Sequence, residues 1–525
     1  MNPKKGKVYL IGAGPGDPQL ITIKGMECIK KADVVVYDYL AAPALLKYAK
    51  KDAQIIYVGK KGGDHTMSQD KINELLADKG KQGLLVARLK GGDPFIFGRG
   101  GEEAETLIEA GIEFEVVPGV TSAVAAPAYA GIPLTHRDYT SSVSLITGHE
   151  DPLKEESSIK WDTLAKSGST LVFFMGVKNL PNICEQLIKN GKSPDTPVAL
   201  VRWGTTPKQQ TVSGTLSNIV QKVMEAKLKP PSLIVVGEVV SLREQMQWFE
   251  KRPFHGKRIV VTRAREQASD LVASLTELGA TCIEIPTIKV IPPSDNSPLE
   301  NAIENIKTYD WLIFTSVNGV KFFFDTLFKM GKDVRILGHL KFACIGPVTK
   351  EELQGHGIIC DVLPESYRAE SIVDAFQGLN SQGVKGKEID IKGKRVLLPR
   401  AKEARSVLPE ELTKMGAIID EVTTYITEQV VDAKEELLKL LEKSSDDENS
   451  DIDIVTFTSS STVKNFKALL PEDKFSELMK GVTVACIGPI TADTAIAEGF
   501  KPDIIATEYT IPGLVNAMVE AVKNN

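Results

Sequence analysis

Two glycine-rich stretches decide the fold of the N-terminal half: VYLIGAGPGDPQLITIKG at residues 8–25 and RLKGGDPFIFGRGGEE at residues 88–103. Each stretch opens with or follows an apolar run typical of a buried strand. The glycines allow sharp turns and leave main-chain N–H and C=O groups accessible at a strand end. Pro15 and Pro18 fix φ and remove two donors, so the first loop is stiff. The pattern predicts a pair of strand-end loops that bind a small polar ligand.

Two other interpretations of the first stretch stay open. A Rossmann dinucleotide fingerprint needs Gly-x-Gly-x-x-Gly opening a helix, with an acidic residue about 20 positions further on. Here the glycines at 12, 14 and 16 are followed by an Asp-Pro pair, although Asp33 and Asp38 lie at about the right distance. Tight turns that bind no ligand are the second alternative.

Length and composition indicate a globular protein with several domains. The chain has 525 residues, of which 42% are hydrophobic and 25% charged, and its formal net charge is −6. This balance gives no reason to expect a nucleic-acid partner. Six scattered cysteines without a C-x-x-C pair argue against a zinc site and a disulfide framework. Without a signal-peptide pattern or an apolar run of roughly 18–20 residues, we expect a cytoplasmic protein with no membrane segment and no metal.

A domain boundary is predicted where a charged segment interrupts the alternation of strands and helices. The segment EQMQWFEKRPFHGK at residues 244–257 carries a proline and a glycine, and a fresh strand–helix pattern follows it. Strand patterns before this segment fall into two groups. The predicted parts are a first domain at 1–245 with lobes at about 1–118 and 119–245, a linker at 246–256, and a second domain at 257–525.

The C-terminal half contains an internal repeat. Three pairs of segments resemble each other in the same order: 258–288 and 395–425, 311–323 and 454–466, and 342–357 and 484–499. Their offsets of 137, 143 and 142 residues are nearly equal, which argues against chance. Strands and helices alternate, as in a parallel sheet flanked by helices. We expect two similar α/β lobes with a ligand site between them; a duplicated scaffold without a shared site is the alternative.

Longer motifs identify a family for residues 6–243. They are GAGPGDPQLITIKG, VVYDYL, GKKGGDHTMSQDKIN, LKGGDPFIFGRGGEE, PGVTSAVAAPAYAGIPLTHRDYTSSVSLITGH, FFMGV, RWGTTPKQQTVSGTL and PSLIVVGEVV. Together they resemble uroporphyrinogen-III C-methyltransferase. The resemblance implies the two-lobed tetrapyrrole methyltransferase fold and S-adenosyl-L-methionine as methyl donor, with S-adenosyl-L-homocysteine as product. It also implies methylation at C2 and C7 of uroporphyrinogen III, giving precorrin-2 for sirohaem or cobalamin, and a homodimer.

The same resemblance implies roles for individual residues. Asp38 would accept a proton and Lys60 would donate one; a turn residue and a surface lysine are the plainer alternatives. The remaining candidates contact the ligands. His65, Arg88 and Arg137 are candidate partners for substrate carboxylates, with structural salt bridges as the alternative. The implied methyl-donor site consists of Pro15, Gly91, Gly92, Asp93, Ile96, Thr121, Ser122, Met175 and Gly204.

Residues 257–522 resemble uroporphyrinogen-III synthase, mainly by pattern. The pattern comprises VTRAREQASDL, duplicated F-T-S segments, two CIGP-x-T segments and a tyrosine in TTYIT. The resemblance implies a two-lobed α/β fold and closure of hydroxymethylbilane to a ring with inversion of ring D, without a cofactor. The implied product is the implied substrate of the N-terminal half.

Neutral donors in both repeats suit a substrate rich in carboxylates. In a turn from strand to helix, such hydroxyls and the backbone N–H groups face an anion at a helix N-terminus. Ordinary N-capping is the alternative. Tyr425 corresponds to the family tyrosine that would assist departure of the hydroxyl, with a structural tyrosine as the alternative. The candidate substrate-binding residues are Thr315, Ser316, Asn318, Thr458, Ser459, Ser460, Arg263 and Arg400.

Three alternatives to a bifunctional tetrapyrrole enzyme stay open at this point. The N-terminal half could methylate a later precorrin. The C-terminal half could be a tetrapyrrole-binding module without turnover. The glycine-rich start could belong to an NAD-dependent oxidoreductase, although the Asp-Pro pair after its glycines argues against this.

Overall fold

The computed structural model describes residues 6–59, 67–149, 159–262, 265–285, 288–365, 369–378, 381–382, 389–402, 406–429, 433–441 and 452–523. The chain divides into two compact units. Unit 1 runs to Arg258 and includes Ala273–Thr281 and the residues from Val519 onward; unit 2 comprises Ile259–Val272 and Cys282–Met518. No helix within the described ranges combines the length and apolar character needed to cross a membrane.

Lobe A of unit 1 is a parallel five-stranded sheet between helices. Its elements are β1 (Lys7–Gly12), α1 (Ile23–Lys31), β2 (Val34–Tyr37), β3 (Gln54–Tyr57), α2 (Gln69–Lys81), β4 (Leu85–Lys90), α3 (Gly100–Glu109) and β5 (Glu113–Val117). The strand order is β3-β2-β4-β1-β5, with parallel pairing throughout. Leu10 and Ile11 on β1 are buried in different core clusters, one on each face of the sheet. Both faces are covered, which is why these strands are continuous apolar runs.

Lobe B completes the fold of unit 1 with a mixed sheet. Its elements are α4 (Ser122–Tyr129), β6 (Val143–Thr147), α5 (Trp161–Lys166), β7 (Thr170–Phe174), α6 (Leu180–Lys189), β8 (Pro197–Arg202), β9 (Gln210–Thr215), α7 (Ile219–Glu225), β10 (Ser232–Val236) and α8 (Arg243–Met246). The strand order is β6-β7-β10-β8-β9. Because β10 is antiparallel to both β7 and β8, these two strands end at the same edge of the sheet.

The elements that follow form two further sheets. In chain order they are β11 (Arg258–Val261), α9 (Arg265–Glu277), β12 (Thr281–Glu284), β13 (Ile288–Ile291), α10 (Ser297–Glu304), β14 (Trp311–Phe314), α11 (Val317–Lys329), β15 (Lys341–Cys344), α12 (Pro347–Gly355), β16 (Leu363–Pro364), α13 (Ala369–Phe376), β17 (Ser381–Gln382), β18 (Arg395–Ala401), α14 (Val407–Lys414), β19 (Ile418–Gln429), α15 (Ala433–Leu441), β20 (Ile454–Phe457), α16 (Ser460–Leu469), α17 (Phe475–Leu478), β21 (Thr483–Cys486), α18 (Pro489–Ala497), β22 (Pro502–Ile505) and α19 (Ile511–Lys523).

Each lobe of unit 2 combines parts of both sequence repeats. Lobe C has the strand order β12-β11-β20-β21-β22, and lobe D has the order β13-β19-β18-β14-β15. In lobe C, the first strands of the first repeat, β11 and β12, lie in one sheet with β20, β21 and β22 of the second repeat. In lobe D, the first strands of the second repeat, β18 and β19, lie in one sheet with β13, β14 and β15 of the first repeat. The expectation of two similar α/β lobes is confirmed, with the repeats exchanged between the lobes.

The close packing of lobe A at its carboxyl edge leads to a stability prediction. A Cβ on Gly119 would overlap the carbonyl oxygen of Gly92 and lie 2.6 Å from Gly12 Cα, both backbone atoms that cannot rotate away. We expect Gly119→Ala to destabilise unit 1 by about 1–3 kcal/mol, seen as a lower midpoint of thermal unfolding. Gly101→Ala is the matched control, because a Cβ at this exposed position in α3 meets nothing within 4 Å. This control should stabilise α3 by roughly 0.5–1 kcal/mol; equal midpoints for the two variants would contradict the prediction.

Candidate functional site

The two glycine-rich loops meet at the carboxyl edge of lobe A. Gly92 N donates to Gly14 O at 2.7 Å, and Gly14 N donates to Gly92 O at 3.3 Å. The loops follow β1 and β4, which are neighbours in the sheet. The chain leaves β1 towards β2 and leaves β4 towards β5, on the opposite side. These two connections pass over each other's strands. The connections diverge between β2, which leads to β3, and β4, which leads to β5, so the loop after β4 borders a topological switch point, where open α/β sheets bind ligands.

Lobe B adds the other side of this edge. Thr121 caps α4 by accepting from Ala123 N at 3.4 Å. A Cβ on Gly92 would find Ser122 N and Thr121 Cα at 3.8 Å and no closer heavy atom outside its chain neighbours, so backbone and the start of α4 border an open space. A Cβ on Gly204 would overlap Ala126 Cβ, which lets the loop after β8 lie directly on α4.

Asp93 orients the loop after β4. Its Oδ1 accepts from Phe95 N at 2.8 Å, and its Oδ2 accepts from Gly119 N at 3.0 Å. The carboxylate therefore ties this loop to the segment between the lobes. A positively charged group of a ligand could therefore pair with a carboxylate whose position is already fixed by two backbone hydrogen bonds.

The rim of this edge concentrates backbone strain. Among the described residues, six non-glycine residues have positive φ, and five of them follow β4, β7 or β8. Such conformations cost about 1–3 kcal/mol each and occur preferentially at ligand sites. The five residues are Phe97, Arg99, Met175, Trp203 and Thr205.

The residues that the sequence predicted to bind the methyl donor all lie at this edge, in its loops or at the start of α4. We call it the glycine edge, defined by residues 13–17, 91–98, 121–122, 175 and 203–205. Lys60 and His65 lie outside the described residues. Two aromatic contacts across the lobes were not predicted: the rings of Tyr39 and Trp203 lie 5.6 Å apart, and those of Phe97 and Phe174 lie 4.9 Å apart. The available sequence signal was an aromatic residue directly before a glycine, at Phe97 and at Trp203.

Asp38 joins a buried ionic network next to the glycine edge. Its Oδ2 accepts from Arg88 Nη2 at 3.1 Å, and its Oδ1 accepts from Leu40 N at 3.1 Å. Glu103 is fully buried and its Oε1 accepts from Arg88 Nε at 3.2 Å and from Lys90 Nζ at 2.7 Å. Burial lowers the pKa of Lys90. Asp38 is thereby fixed in direction while about a quarter of its side chain stays exposed.

Arg88 forms structural salt bridges, the predicted alternative to binding a substrate carboxylate. Only 3% of the surface of Arg88 is exposed. Besides Asp38 and Glu103, it binds Leu89 O through a hydrogen bond donated by Nη1 at 2.9 Å. Each of the three guanidinium nitrogens thus donates to a protein acceptor in a buried position, which favours the structural role over contact with a substrate carboxylate. Arg137 lies between β5 and β6 and makes no contact with this network.

Removing the buried carboxylate should test the network. Glu103→Gln takes away the negative charge between Arg88 and Lys90, and we expect it to destabilise unit 1 by about 3–5 kcal/mol. The neighbouring Glu102, whose side chain is 49% exposed in its pair with Arg99, supplies the control. Glu102→Gln should cost less than about 1 kcal/mol. Urea unfolding of both variants measures the difference; similar midpoints would mean that the buried charges are neutralised in another way.

The predicted residues of unit 2 also lie at switch points. In lobe D the chain leaves β14 towards β15 and leaves β18 towards β19, on opposite sides. In lobe C the corresponding neighbours are β11 and β20. Thr315, Ser316 and Asn318 follow β14, and Thr458, Ser459 and Ser460 follow β20. Ligands of such sheets bind outside the carboxyl ends of the strands at these points.

Lobe D brings the candidate tyrosine to the candidate serine. The hydroxyl groups of Tyr425 and Ser316 lie 3.0 Å apart, and Ser316 Oγ accepts from Gly319 N at 3.0 Å. The ring of Tyr425 stacks on Phe322 with centroids 5.9 Å apart. Ser316 is thus both the N-cap of α11 and the partner of Tyr425, a link that the sequence did not predict.

Of the two candidate arginines of unit 2, the structure describes Arg400. Arg400 lies in β18, is buried, and donates from Nη1 to Glu421 Oε2 at 3.0 Å. A Cβ on Gly319 would lie 3.1 Å from Pro399 O, which places the strand end of Arg400 beside the start of α11. Arg263 lies outside the described residues.

Lobe C repeats the serine cap. Ser459 caps α16 with backbone φ −166° and ψ 162°, close to the φ −164° and ψ 155° of Ser316. Ser460 Oγ accepts from Thr494 Oγ1 at 2.7 Å. The two caps show that the sequence repeat preserves the local backbone at both switch points.

The described residues hold no cluster of three or more His, Cys, Asp or Glu that could bind a metal ion. The six cysteines, all within the described ranges, form no disulfide.

The fold is that of a two-unit α/β protein, and predicted site residues lie at carboxyl ends of strands in each unit. Residues 7–220 match the family model described as Tetrapyrrole (Corrin/Porphyrin) Methylases, and residues 269–516 match the model described as Uroporphyrinogen-III synthase HemD. Over 515 residues the chain is 38% identical to the porphyrin biosynthesis protein HemD of Ruminiclostridium josui, covering 98% of each. The chain therefore belongs to this HemD family of porphyrin biosynthesis proteins, with a tetrapyrrole methylase region followed by a uroporphyrinogen-III synthase region. The resemblance predicted for each half is confirmed.

Two further relatives are named for methylation of uroporphyrinogen III. The uroporphyrinogen-III C-methyltransferase of Bacillus subtilis (strain 168) is 46% identical over 365 residues, covering 69% of this chain and 74% of the relative. The S-adenosyl-L-methionine-dependent uroporphyrinogen III methyltransferase of Methanosarcina barkeri is 56% identical over 244 residues, covering 46% of this chain and 96% of the relative.

Proposed function

We propose that the chain is a bifunctional enzyme: unit 2 cyclises hydroxymethylbilane to uroporphyrinogen III, and unit 1 methylates that product. The observation that carries the methylation half is the glycine edge, where two glycine-rich loops and the start of α4 border an open, backbone-lined space. The relatives named for uroporphyrinogen methylation support this assignment.

S-adenosyl-L-methionine is the donor that fits the glycine edge, and when bound it supplies an electrophilic methyl group on a sulfonium. Among the described residues outside its chain neighbours, only backbone atoms lie within 4 Å of a Cβ built on Gly92, so main-chain groups can close on a methionine-like moiety. Asp93 offers a fixed negative charge, Thr121 a hydroxyl and Met175 an exposed, adaptable thioether. The remaining proposed donor contacts are Pro15, Gly91, Ile96, Ser122 and Gly204.

We propose Asp38 as the acceptor of the proton that the methylated macrocycle loses. The hydrogen bond from Arg88 fixes one carboxylate oxygen while the side chain remains partly exposed. Lys60 remains the proposed proton donor. The proposed products are those of methylation at C2 and C7, giving precorrin-2 for sirohaem or cobalamin.

In unit 2 we propose that Tyr425 assists loss of the terminal hydroxyl of hydroxymethylbilane. Its contact with Ser316 Oγ at 3.0 Å aligns the phenol at the carboxyl edge of lobe D. The substrate-positioning residues proposed with it are Thr315, Ser316, Asn318, Thr458, Ser459, Ser460, Arg263 and Arg400. Cyclisation with inversion of ring D is part of this proposal.

The proposed setting is the cytoplasm, since reduced cysteines are typical of that compartment. We also propose a homodimer formed through the first half, small tetrapyrroles as partners, and the domain limits 1–245 and 257–525. Covalent linkage of both steps would raise the local concentration of the shared intermediate.

An anaerobic assay with hydroxymethylbilane and S-adenosyl-L-methionine tests the methylation half. The wild-type chain should accumulate a dimethylated product, whereas Asp38→Asn should slow methylation about a hundredfold or more. Uroporphyrinogen III formation by that variant should be unchanged. Asp52→Asn, at an exposed turn of lobe A, is the control and should match the wild type. Unchanged methylation by Asp38→Asn would remove its assigned role, and unmethylated uroporphyrinogen III from the wild type would refute the methylation half.

The same assay tests the synthase half through Tyr425→Phe. Loss of the phenol should slow cyclisation about a hundredfold, so that hydroxymethylbilane closes spontaneously to uroporphyrinogen I. Tyr309 is the matched control: it is buried in lobe D at the amino end of β14, and burial, with a hydrogen bond to Asp420, raises its pKa to about 12. Tyr309→Phe should keep the wild-type isomer ratio. If no variant changes that ratio and the wild type yields the I isomer, unit 2 binds tetrapyrroles without turnover.

A further inference from the structure

The segment after α8 packs on unit 1 as an ordered strap, Gln247–His255. Phe249 and Phe254 are buried within it. Trp248 Nε1 donates to Ala128 O at 3.1 Å, and the guanidinium of Arg252 lies 4.8 Å from the centroid of the Trp248 ring. Specific polar and aromatic contacts therefore hold this stretch, which the sequence presented as a joint.

Glu250 is the polar centre of the strap. Its Oε1 accepts from Gln209 Nε2 at 2.9 Å and from Thr211 Oγ1 at 2.5 Å. Its Oε2 accepts from Arg243 Nη2, and Arg243 also donates to Ala130 O at the end of α4. One carboxylate thus ties the strap to the strand β9 and to the helices α4 and α8.

A chain of hydrogen bonds leads from Glu250 to the glycine edge. Gln209 is buried, and its Oε1 accepts from Thr205 N at 2.8 Å. Thr205 Oγ1 in turn accepts from Asp17 N at 3.0 Å. Thr205 has φ 71°, so its backbone needs such support. Thr205 follows Gly204 directly, and Asp17 lies two residues after Pro15, so the chain ends beside two proposed donor contacts.

A second connection reaches the same loop through Tyr129. Its hydroxyl donates to Asp17 Oδ2 at 2.9 Å. Its ring lies 5.0 Å from that of Trp248 and 4.8 Å from that of Phe249. Burial, with the hydrogen bond to Asp17, raises the pKa of Tyr129 to about 12, so the hydroxyl is a donor at neutral pH. The strap is therefore connected to the Asp17 loop in two ways, through Gln209 with Thr205 and through Tyr129.

We infer that the strap is part of the methyl-donor site and that Glu250 is a positioning residue, which holds the loops after β1 and β8 in the geometry that binds S-adenosyl-L-methionine. This inference rests on the proposed function of the glycine edge. Loops held in their bound geometry bind with less loss of conformational entropy. The segment that leads from unit 1 into the rest of the chain is then also a support of its binding loops.

Calorimetric titration of the full chain with S-adenosyl-L-homocysteine tests the inference. Glu250→Ala removes all three contacts of the carboxylate and should weaken binding about tenfold. Glu244→Ala, at an exposed position of α8, is the matched control and should bind as the wild type does. In turnover, the KM for S-adenosyl-L-methionine should rise in Glu250→Ala while the KM for uroporphyrinogen III and the rate of cyclisation stay unchanged. At a temperature well below unfolding, a general loss of stability would not raise the KM for S-adenosyl-L-methionine while leaving the other two quantities unchanged.

Trp248→Leu provides a second variant should Glu250→Ala fail to fold. Trp248 is 45% exposed, so its replacement leaves no buried charge, and it removes the contacts of this ring with Tyr129, Ala128, Phe249 and Arg252. We expect weaker binding of S-adenosyl-L-homocysteine here too. Binding within about twofold of the wild type in the folded variants would overturn the role of the strap while leaving the donor site in place. Absence of binding by the wild-type chain would instead overturn the proposed donor site, and the inference with it.

Discussion

The constraint on which unit 1 depends is the direct approach of backbone to backbone at Gly12, Gly92 and Gly119. A side chain at Gly12 or Gly119 would overlap main-chain atoms, so the two strand-end loops can meet only because these residues lack a Cβ. That approach brings the loops after β1 and β4 into mutual hydrogen bonds. The open space above Gly92, the orientation of Asp93 and the position of α4 all follow from it.

Unit 2 reaches a comparable arrangement by duplication and exchange. Each of its lobes takes neighbouring strands from both repeats, and the joint between those strands is the point at which the chain direction reverses. The serine caps after β14 and β20 lie at these joints. Three of the four five-stranded sheets thus carry predicted site residues beside a switch point, where neighbouring connections diverge and leave the carboxyl ends of the strands accessible.

Much of this was predictable from local chemistry. Glycine and proline spacing indicated the loops, apolar runs indicated the strands, and the nearly equal offsets indicated the duplicated lobes. Contacts between distant residues could not be predicted in the same way. Nothing local to Arg88 shows that Glu103 and Asp38 will surround it, because that depends on the register between β2, β4 and α3. Glu250 looked like one charge in a linker, since its partners Gln209 and Thr211 lie about 40 positions earlier. Sequence repeats, likewise, do not reveal which strands of each copy will pair.

A crystal structure of the full chain with S-adenosyl-L-homocysteine would show whether the glycine edge binds the methyl donor. We expect the ligand in the space above Gly92, in contact with Asp93, Thr121 and Met175, with Gly204 at its border. Density for the ligand at any other place on the chain, with the glycine edge empty, would contradict it.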